Sequence, residues 1–168
     1  MYPAEELDRI AKTKEMNDKL EEFFNDKRSD WNKNVEPLFK SLSLDLSNSV
    51  NSKPILDAQA LALSHRQQIN EQINFFLNKR SKETSKNKRL RQDKFVFYAM
   101  GILPGSNSQL KTNNAEKAIL INGHLAENDR SLELIESYIE FLRSTVKNLE
   151  SLSYSIKNMI ELMNYLGR

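Results

Sequence analysis

A run of positively charged side chains in the middle of the chain is the strongest chemical feature of this 168-residue sequence. Residues 79–94 hold eight Lys/Arg against two acids, Glu83 and Asp93, which gives a formal charge of +6. Lysine and arginine neutralise phosphates and release their counterions, and this supplies most sequence-independent affinity for nucleic acids. The segment is therefore predicted to bind a polyanion. Its candidate contacts are Lys79, Arg80, Lys82, Lys86, Lys88, Arg89, Arg91 and Lys94.

The positive charge is confined to this part of the chain. Residues 58–112 hold 10 Lys/Arg against 3 Asp/Glu, whereas residues 1–57 hold 9 against 12 and residues 113–168 hold 6 against 8. A charged run on a helix is often only a solvated face, and that alternative stays open. The scarcity of acids within the run, although acids are common on both sides of it, favours a polyanionic partner.

Three aromatic residues follow the basic run directly. Aromatic rings stack on nucleobases, which is how many proteins hold single strands without reading their sequence. Tyr98 has a polar tip and is the better candidate for such stacking, so we include it in the predicted site. Phe95 and Phe97 are expected to pack in a core at the end of the helix.

Composition and motifs give little support for catalysis. The chain has no cysteine, which excludes disulfides and thiolate metal sites, and its two histidines, His65 and His124, are far apart in sequence. No phosphate loop or dinucleotide motif is found. We therefore expect no enzymatic activity, no cofactor and no metal site. No apolar run approaches the roughly 18 residues of a membrane span, and the first residues lack the apolar core of an export signal, so a cytoplasmic protein without membrane contact is expected.

The spacing of apolar residues predicts an all-α fold. Glycine and proline occur four times each, which favours a few long helices over a fold with many tight turns. The first predicted elements are a helix over residues 4–27, a break at 25–30, a helical segment from Trp31 and a basic helix over about 54–100. A loop over 101–114 follows, then a short helix from Ala115 to Asn122 with Asn114 as its N-cap and Gly123 at its end, and a last helix over about 129–166. Residues 1–50 are predicted to form an N-terminal helical arm and residues 51–168 the main helical domain.

The last predicted helix carries a seven-residue repeat of apolar side chains. With Leu132 at position a, nine of the ten a and d positions over five heptads are apolar, and Ser153 is the tenth. Such a repeat implies a supercoil with another helix. The apolar face is wider than a two-stranded seam needs, which favours a homo-oligomeric bundle or ring; a hairpin with the 54–100 helix is the intramolecular alternative. The predicted oligomerisation residues are Leu132, Ile135, Ile139, Leu142, Val146, Leu149, Ile156, Ile160 and Met163.

Three stretches in the last two thirds of the chain, taken in their order and spacing, resemble one protein family. They are RLRQDKFVFYAMG (residues 89–101), KAILINGHLAEND (residues 117–129) and the heptad helix from Ser131 to Leu166. From about Pro54 onward the chain thereby resembles the UvsY-type recombination mediators of T-even-like bacteriophages. Residues 1–30 have no clear counterpart in that family.

The resemblance implies a function and a set of partners. UvsY-type mediators form rings, here expected to hold roughly six or more subunits, that bind single-stranded DNA in recombination and repair. They help a RecA-like recombinase to replace single-strand-binding protein, and they would act in the cytoplasm of the bacterial host. Lys94 matches one of the family's two DNA-binding cations, whereas the other position holds Gln92 with Arg91 beside it. The alternative is a helical scaffold or structural phage protein whose basic segment binds RNA or a protein.

Overall fold

The computed structural model describes residues 4–40, 52–99 and 113–165, and nearly all of them lie in three α-helices. Helix α1 spans Ala4–Lys40, α2 spans Ser52–Ala99 and α3 spans Asn114–Tyr165. These ranges contain no strand, and the predicted all-α fold is confirmed. The predicted loop over residues 101–114 lies outside the described residues, except for Asn113 and Asn114.

Helix α1 is continuous, so the predicted break at residues 25–30 is wrong. Phe24 and Trp31 are both buried and lie seven residues apart, so the apolar face continues through the polar stretch between them. On the solvent side of that stretch, Lys27 pairs with Asp30 at an N–O distance of 3.8 Å, and such a pair one turn apart stabilises a helix. A run of polar residues here marks the outer side of a helix.

Helix α3 joins two segments that the sequence analysis separated at Gly123 and Asp129, so that division is also wrong. Gly123 lies in the helix interior, which costs roughly 1 kcal/mol relative to alanine. Ile121 and Leu125 are buried on either side of it. Each contributes about 1.5–3 kcal/mol on full burial, which outweighs the cost of the glycine.

The start of α3 has a reciprocal cap. The side-chain Oδ1 of Asn113 accepts a hydrogen bond of 2.8 Å from the backbone N–H of Glu116. The carboxylate of Glu116 in turn accepts one of 3.2 Å from the backbone N–H of Asn113. This arrangement satisfies two backbone donors that a helix start leaves without partners. The cap is thus Asn113, one residue before the predicted Asn114.

Contacts group the chain into two compact units, each of which contains part of all three helices. Unit 1 comprises Met1–Phe23 with Leu77–Ser137, and unit 2 comprises Phe24–Phe76 with Tyr138–Arg168. This grouping differs from the predicted division after residue 50, because α1 contributes to both units.

The core of unit 2 is built around aromatic rings. Phe24 stacks on Tyr138 with ring centroids 4.4 Å apart, and Phe76 meets Tyr138 edge-on at 5.1 Å. The Tyr138 hydroxyl donates a hydrogen bond of 3.2 Å to Oε1 of Gln72, and Nε1 of Trp31 donates one of 3.4 Å to the same atom. Burial raises the pKa of Tyr138, which therefore stays a neutral donor.

Candidate nucleic-acid interface

The predicted basic segment lies on α2 within unit 1, and five of its eight cations are exposed to solvent. Residues spaced three and four apart share a helix side, and Lys82, Lys86 and Arg89 follow that spacing. Lys88 is exposed as well, about 100° further round the helix from Arg89. We refer to Lys82, Lys86, Lys88 and Arg89 as the basic face. The other side of this stretch is turned inward, where Asn87 and Tyr98 are buried.

A shallow depression of about 390 Å³ runs along the basic face. Cationic side chains and hydroxyl groups alternate around it, and both kinds of group donate hydrogen bonds to phosphate oxygens. The residues that line the depression are Ser81, Lys82, Ser85, Lys86, Arg89 and Leu90. The depression thus lies among three cations, Lys82, Lys86 and Arg89.

Two carboxylates reduce the positive charge near the basic face. Asp93 is exposed and follows Arg89 by four residues, which places it on the same side of α2. Glu83 is half-buried, and one of its oxygens lies 3.9 Å from Nζ of Lys86. Four cations against one fully exposed acid leave the surface clearly positive.

Two of the predicted arginine contacts are engaged within the chain. Arg80 pairs with Glu136 at 3.0 Å. Arg91 donates a hydrogen bond of 2.7 Å to Oδ1 of Asn122 and lies 3.3 Å from a carboxylate oxygen of Asp129. Both guanidinium groups hold α2 against α3 in unit 1, so their charge is already balanced. We leave Arg80 and Arg91 out of the basic face for this reason.

Lys94 is held by a carboxylate from α1. Its Nζ lies 3.0 Å from Oε1 of Glu6, and the same oxygen accepts a hydrogen bond of 2.9 Å from Arg9. Burial by itself raises the pKa of Glu6, but the hydrogen bonds and charges of Arg9 and Lys94 outweigh it and lower the pKa to about 2. Glu6 is thus ionised and holds Lys94 against α1, away from the basic face.

Tyr98, the predicted base-stacking residue, is buried in unit 1 and is 5% exposed. Its ring packs with Ile121 and Leu125, and its hydroxyl bonds to Nε2 of His124. Burial and the nearby charge of Lys94 lower the pKa of His124, which favours the neutral ring. A neutral ring accepts from Tyr98 at Nε2 and donates from Nδ1 to Glu6, over 3.2 Å.

The other two aromatic residues of this segment take different environments. Phe97 is half-buried against the cluster around Tyr98, with ring centroids 5.5 Å apart. Phe95 is 57% exposed, so the prediction that it packs in the core is wrong. Of the three aromatic residues that follow the cations, the one exposed to solvent is therefore Phe95 and not Tyr98.

The sequence analysis missed a network of polar groups through which α1 binds α3 in unit 1. Asn17 is fully buried, and its Nδ2 donates hydrogen bonds of 2.7 and 2.9 Å to the backbone and side-chain oxygens of Glu127. Arg130 bonds to both Asp18 and Glu21, at 2.9 and 2.7 Å. In sequence these acids look like an ordinary solvated face. The one local signal is Asn17, an uncharged polar residue among charged neighbours.

The predicted oligomerisation residues of α3 fall into two groups. Five are almost completely buried among the chain's own helices, namely Ile135, Ile139, Leu142, Leu149 and Ile156, each 2% exposed or less. The other four are half-buried, and three of them occupy a positions of the heptad. These four are Leu132, Val146, Ile160 and Met163, the last at a d position. The intramolecular alternative accounts for the first group. The second group is the part of the heptad surface still available to another chain.

Other kinds of site receive no support from the part of the chain that the structure describes. Its histidines and carboxylates form no group of three or more that is placed to hold a metal ion. None of the three described helices combines the length and apolar character that crossing a membrane requires. Comparisons of the chain with protein-family models, with curated proteins and with solved structures find no match.

Proposed function

We propose that this protein is a recombination mediator that binds single-stranded DNA through the basic face of α2. The proposal rests on the small number of carboxylates that lie close to the four cations of that face. Among the described residues, Lys82, Lys88 and Arg89 have no carboxylate within ion-pair distance, and Lys86 has only the 3.9 Å contact with Glu83. Their charge is therefore available to a polyanion.

Exposed lysines on α1 offer a comparison. Three of the five pair with an acid one turn away at 2.6–2.7 Å, namely Lys12 with Asp8, Lys19 with Glu15, and Lys40 with Glu36. The other two, Lys14 and Lys33, have no carboxylate within ion-pair distance in the described ranges, but they are isolated from each other. The basic face differs because it gathers four cations within eight residues with a single carboxylate contact at 3.9 Å among the described residues, and this concentration of charge favours an external anion.

The single-strand preference and the recombinase-loading role are supported by the resemblance to UvsY-type mediators. The resemblance places its basic and aromatic signature at residues 89–101, directly after most of the basic face. In the proposed mechanism, the strand's phosphates bind the basic face while single-strand-binding protein is displaced. A RecA-like recombinase then nucleates its filament on the strand that the mediator holds.

We also propose that the protein acts as a homo-oligomer. The half-buried a positions Val146 and Ile160 leave part of the heptad face accessible in unit 2. Three more apolar side chains near the end of α3 are exposed and share one side of the helix, namely Tyr154, Leu162 and Tyr165. An oligomer would present several basic faces to one strand, and such multivalency raises the affinity above that of a single copy.

The test compares DNA binding by two variants. One lacks charge on the basic face, and the other lacks the same amount of charge elsewhere. The variant Lys82→Ala/Lys86→Ala/Arg89→Ala removes three cations that line the depression. Lys12→Ala/Lys19→Ala/Lys40→Ala is the matched control, since it removes three cations already paired on α1. We expect the first variant to bind an oligo(dT) strand at least about tenfold more weakly, with the slope of log affinity against log salt reduced by about 2. The control should bind like the parent protein.

A functional readout accompanies the binding measurement. The parent protein should shorten the lag before a RecA-like recombinase forms filaments on DNA coated with single-strand-binding protein, and the basic-face variant should not. Equal losses in the two variants would show that affinity follows net charge and not this surface, which would refute the site. Tight binding by the parent without preference for single strands, and without effect on the lag, would instead favour the scaffold alternative.

A further inference from the structure

Phe95 is the exposed aromatic residue at the end of the basic segment. More than half of its surface faces solvent, whereas Phe97 and Tyr98 pack inward. Single exposed apolar residues are common on protein surfaces, so exposure alone assigns no role. A role for Phe95 therefore depends on the charged residues that share its side of α2.

The helix geometry places Phe95 beside charged groups of α2. It follows Lys88 by seven residues and Arg91 by four, and both spacings bring side chains to the same side of a helix with 3.6 residues per turn. Lys88 and Phe95 are separated by about 10 Å along the helix axis. Both side chains are exposed, so a strand bound at Lys88 can reach the ring without a rearrangement of α2.

We propose that Phe95 is a base-stacking residue, so that nucleobases pack on its ring while the phosphates of the same strand lie at Lys88. This inference rests on the proposed function and adds the group that selects a single strand. Bases in a duplex are already stacked on their neighbours, whereas those of a single strand offer a free face to an aromatic ring. The basic face alone would bind the phosphates of either form.

A protein surface is the competing occupant, because Val96 next to Phe95 is also exposed. The charge of the surroundings favours the nucleic acid. Phe95 lies on the same side of α2 as Lys88, which has no carboxylate within ion-pair distance among the described residues, and an apolar ring beside such a cation suits a partner that combines negative charge with flat apolar faces. Single-stranded DNA has both properties.

The test separates stacking from charge by using two strands with equal numbers of phosphates. One is oligo(dT), and the other is an abasic strand of the same length. Phe95→Ala should weaken binding to oligo(dT) by roughly five- to 150-fold, the range found for loss of one base–aromatic stack. It should leave binding to the abasic strand unchanged, and the slope of log affinity against log salt should also stay the same, because no charge is removed.

A second variant gives a direct signal of stacking. Phe95→Trp should retain the affinity for oligo(dT), and its fluorescence should be quenched by that strand but not by the abasic one. The chain's own tryptophan, Trp31, is buried and therefore shielded from contact with the strand, so its emission should not change on binding. Phe39→Ala is the control, because Phe39 is an exposed aromatic on α1 whose neighbour one turn earlier is an acid, Glu36, and not a cation. It should bind both strands like the parent.

The outcomes distinguish this inference from the proposed function. If Phe95→Ala binds oligo(dT) as tightly as the parent while the basic-face variant is deficient, stacking is refuted and the DNA-binding surface stands. Equal losses on the two strands would assign Phe95 a structural role and also refute stacking. If the parent itself binds neither strand at low salt, both proposals fail.

Discussion

Glu6 of α1 and Lys94 of α2 form an ion pair, with 3.0 Å between Oε1 and Nζ, in a setting that largely excludes solvent. The two side chains are 12% and 22% exposed. Arg9 and His124 contact the same carboxylate oxygen, at 2.9 and 3.2 Å. One acid near the start of the chain therefore joins all three helices of unit 1.

Replacing this carboxylate should destabilise the protein. In Glu6→Gln, Lys94 and Arg9 keep their positive charge in a partly buried position without a carboxylate. We expect a loss of about 1–3 kcal/mol in the free energy of unfolding, measured by urea denaturation. Glu5→Gln, one residue away and exposed, should stay within about 0.5 kcal/mol of the parent. An unchanged urea midpoint for Glu6→Gln would contradict the assigned network.

Stability should fall on acidification, in two steps that the pKa shifts define. The pKa of Glu6 in the folded protein is about 2, below its ordinary value of 4.5, so the unfolded chain binds more protons between these values. The stabilisation from Glu6 is thus complete above about pH 4.5 and is lost as the pH falls toward 2. The lowered pKa of His124 has the same sign and begins to act below its ordinary value of 6.5.

Urea midpoints measured from pH 7 to pH 3 check both steps. Glu6→Gln should flatten the acid part of the curve, since its side chain does not titrate. His124→Asn should remove the decline that begins near pH 6.5. A parent protein with the same midpoint at all these pH values would show that neither group is perturbed as described.

Asp93, the exposed acid beside the basic face of α2, should oppose the proposed binding of DNA. Asp93 follows Arg89 by one helical turn, so its charge repels a strand bound to the basic face. Asp93→Asn should raise the affinity for oligo(dT) by about two- to fivefold at low salt, and the gain should shrink as salt screens the repulsion. Asp26→Asn on α1 removes an exposed acid elsewhere and serves as the control. An unchanged or weaker affinity for Asp93→Asn would place the strand on another surface.

The two sides of the heptad helix should respond differently to substitution. Leu149 is fully buried within the chain, so Leu149→Ala should cost about 2–5 kcal/mol in the free energy of unfolding. Val146 is half-buried, and Val146→Glu with Ile160→Glu should lower the molar mass measured by light scattering while helical content is retained. If the double variant keeps the mass of the parent, the proposed contact between copies is refuted.

The helices could be predicted from the sequence wherever a single strong signal marked their ends. Helix α2, predicted over residues 54–100, spans Ser52–Ala99, because Pro54 marks its first turn and Gly101 follows its end in the sequence. The two predicted interruptions failed for a common reason. Local polarity at residues 25–30 and the glycine at position 123 weaken a helix by amounts that burial of Trp31 and Leu125 exceeds.

The site could be predicted only as a segment and not as a set of side chains. The run of apolar residues from Phe95 to Tyr98 has no periodicity, so the sequence does not show which ring faces the core. The hydroxyl of Tyr98 finds a buried partner in His124, 26 residues away in sequence, and this leaves Phe95 outside. In the same way, Lys94 forms its ion pair with Glu6, an acid 88 positions earlier in the chain, and local sequence does not show this pairing.

The most direct test of the DNA-binding proposal is the salt dependence of single-strand binding by the unmodified protein. Fluorescence anisotropy of a labelled oligo(dT) would be measured between about 50 and 200 mM salt, with a duplex of equal length for comparison. Neutralisation of phosphates by the four cations of the basic face predicts a slope of log affinity against log salt of about −3 per chain, or steeper in an oligomer, and weaker binding to the duplex. Failure to bind oligo(dT) even at the lowest salt would contradict the proposal.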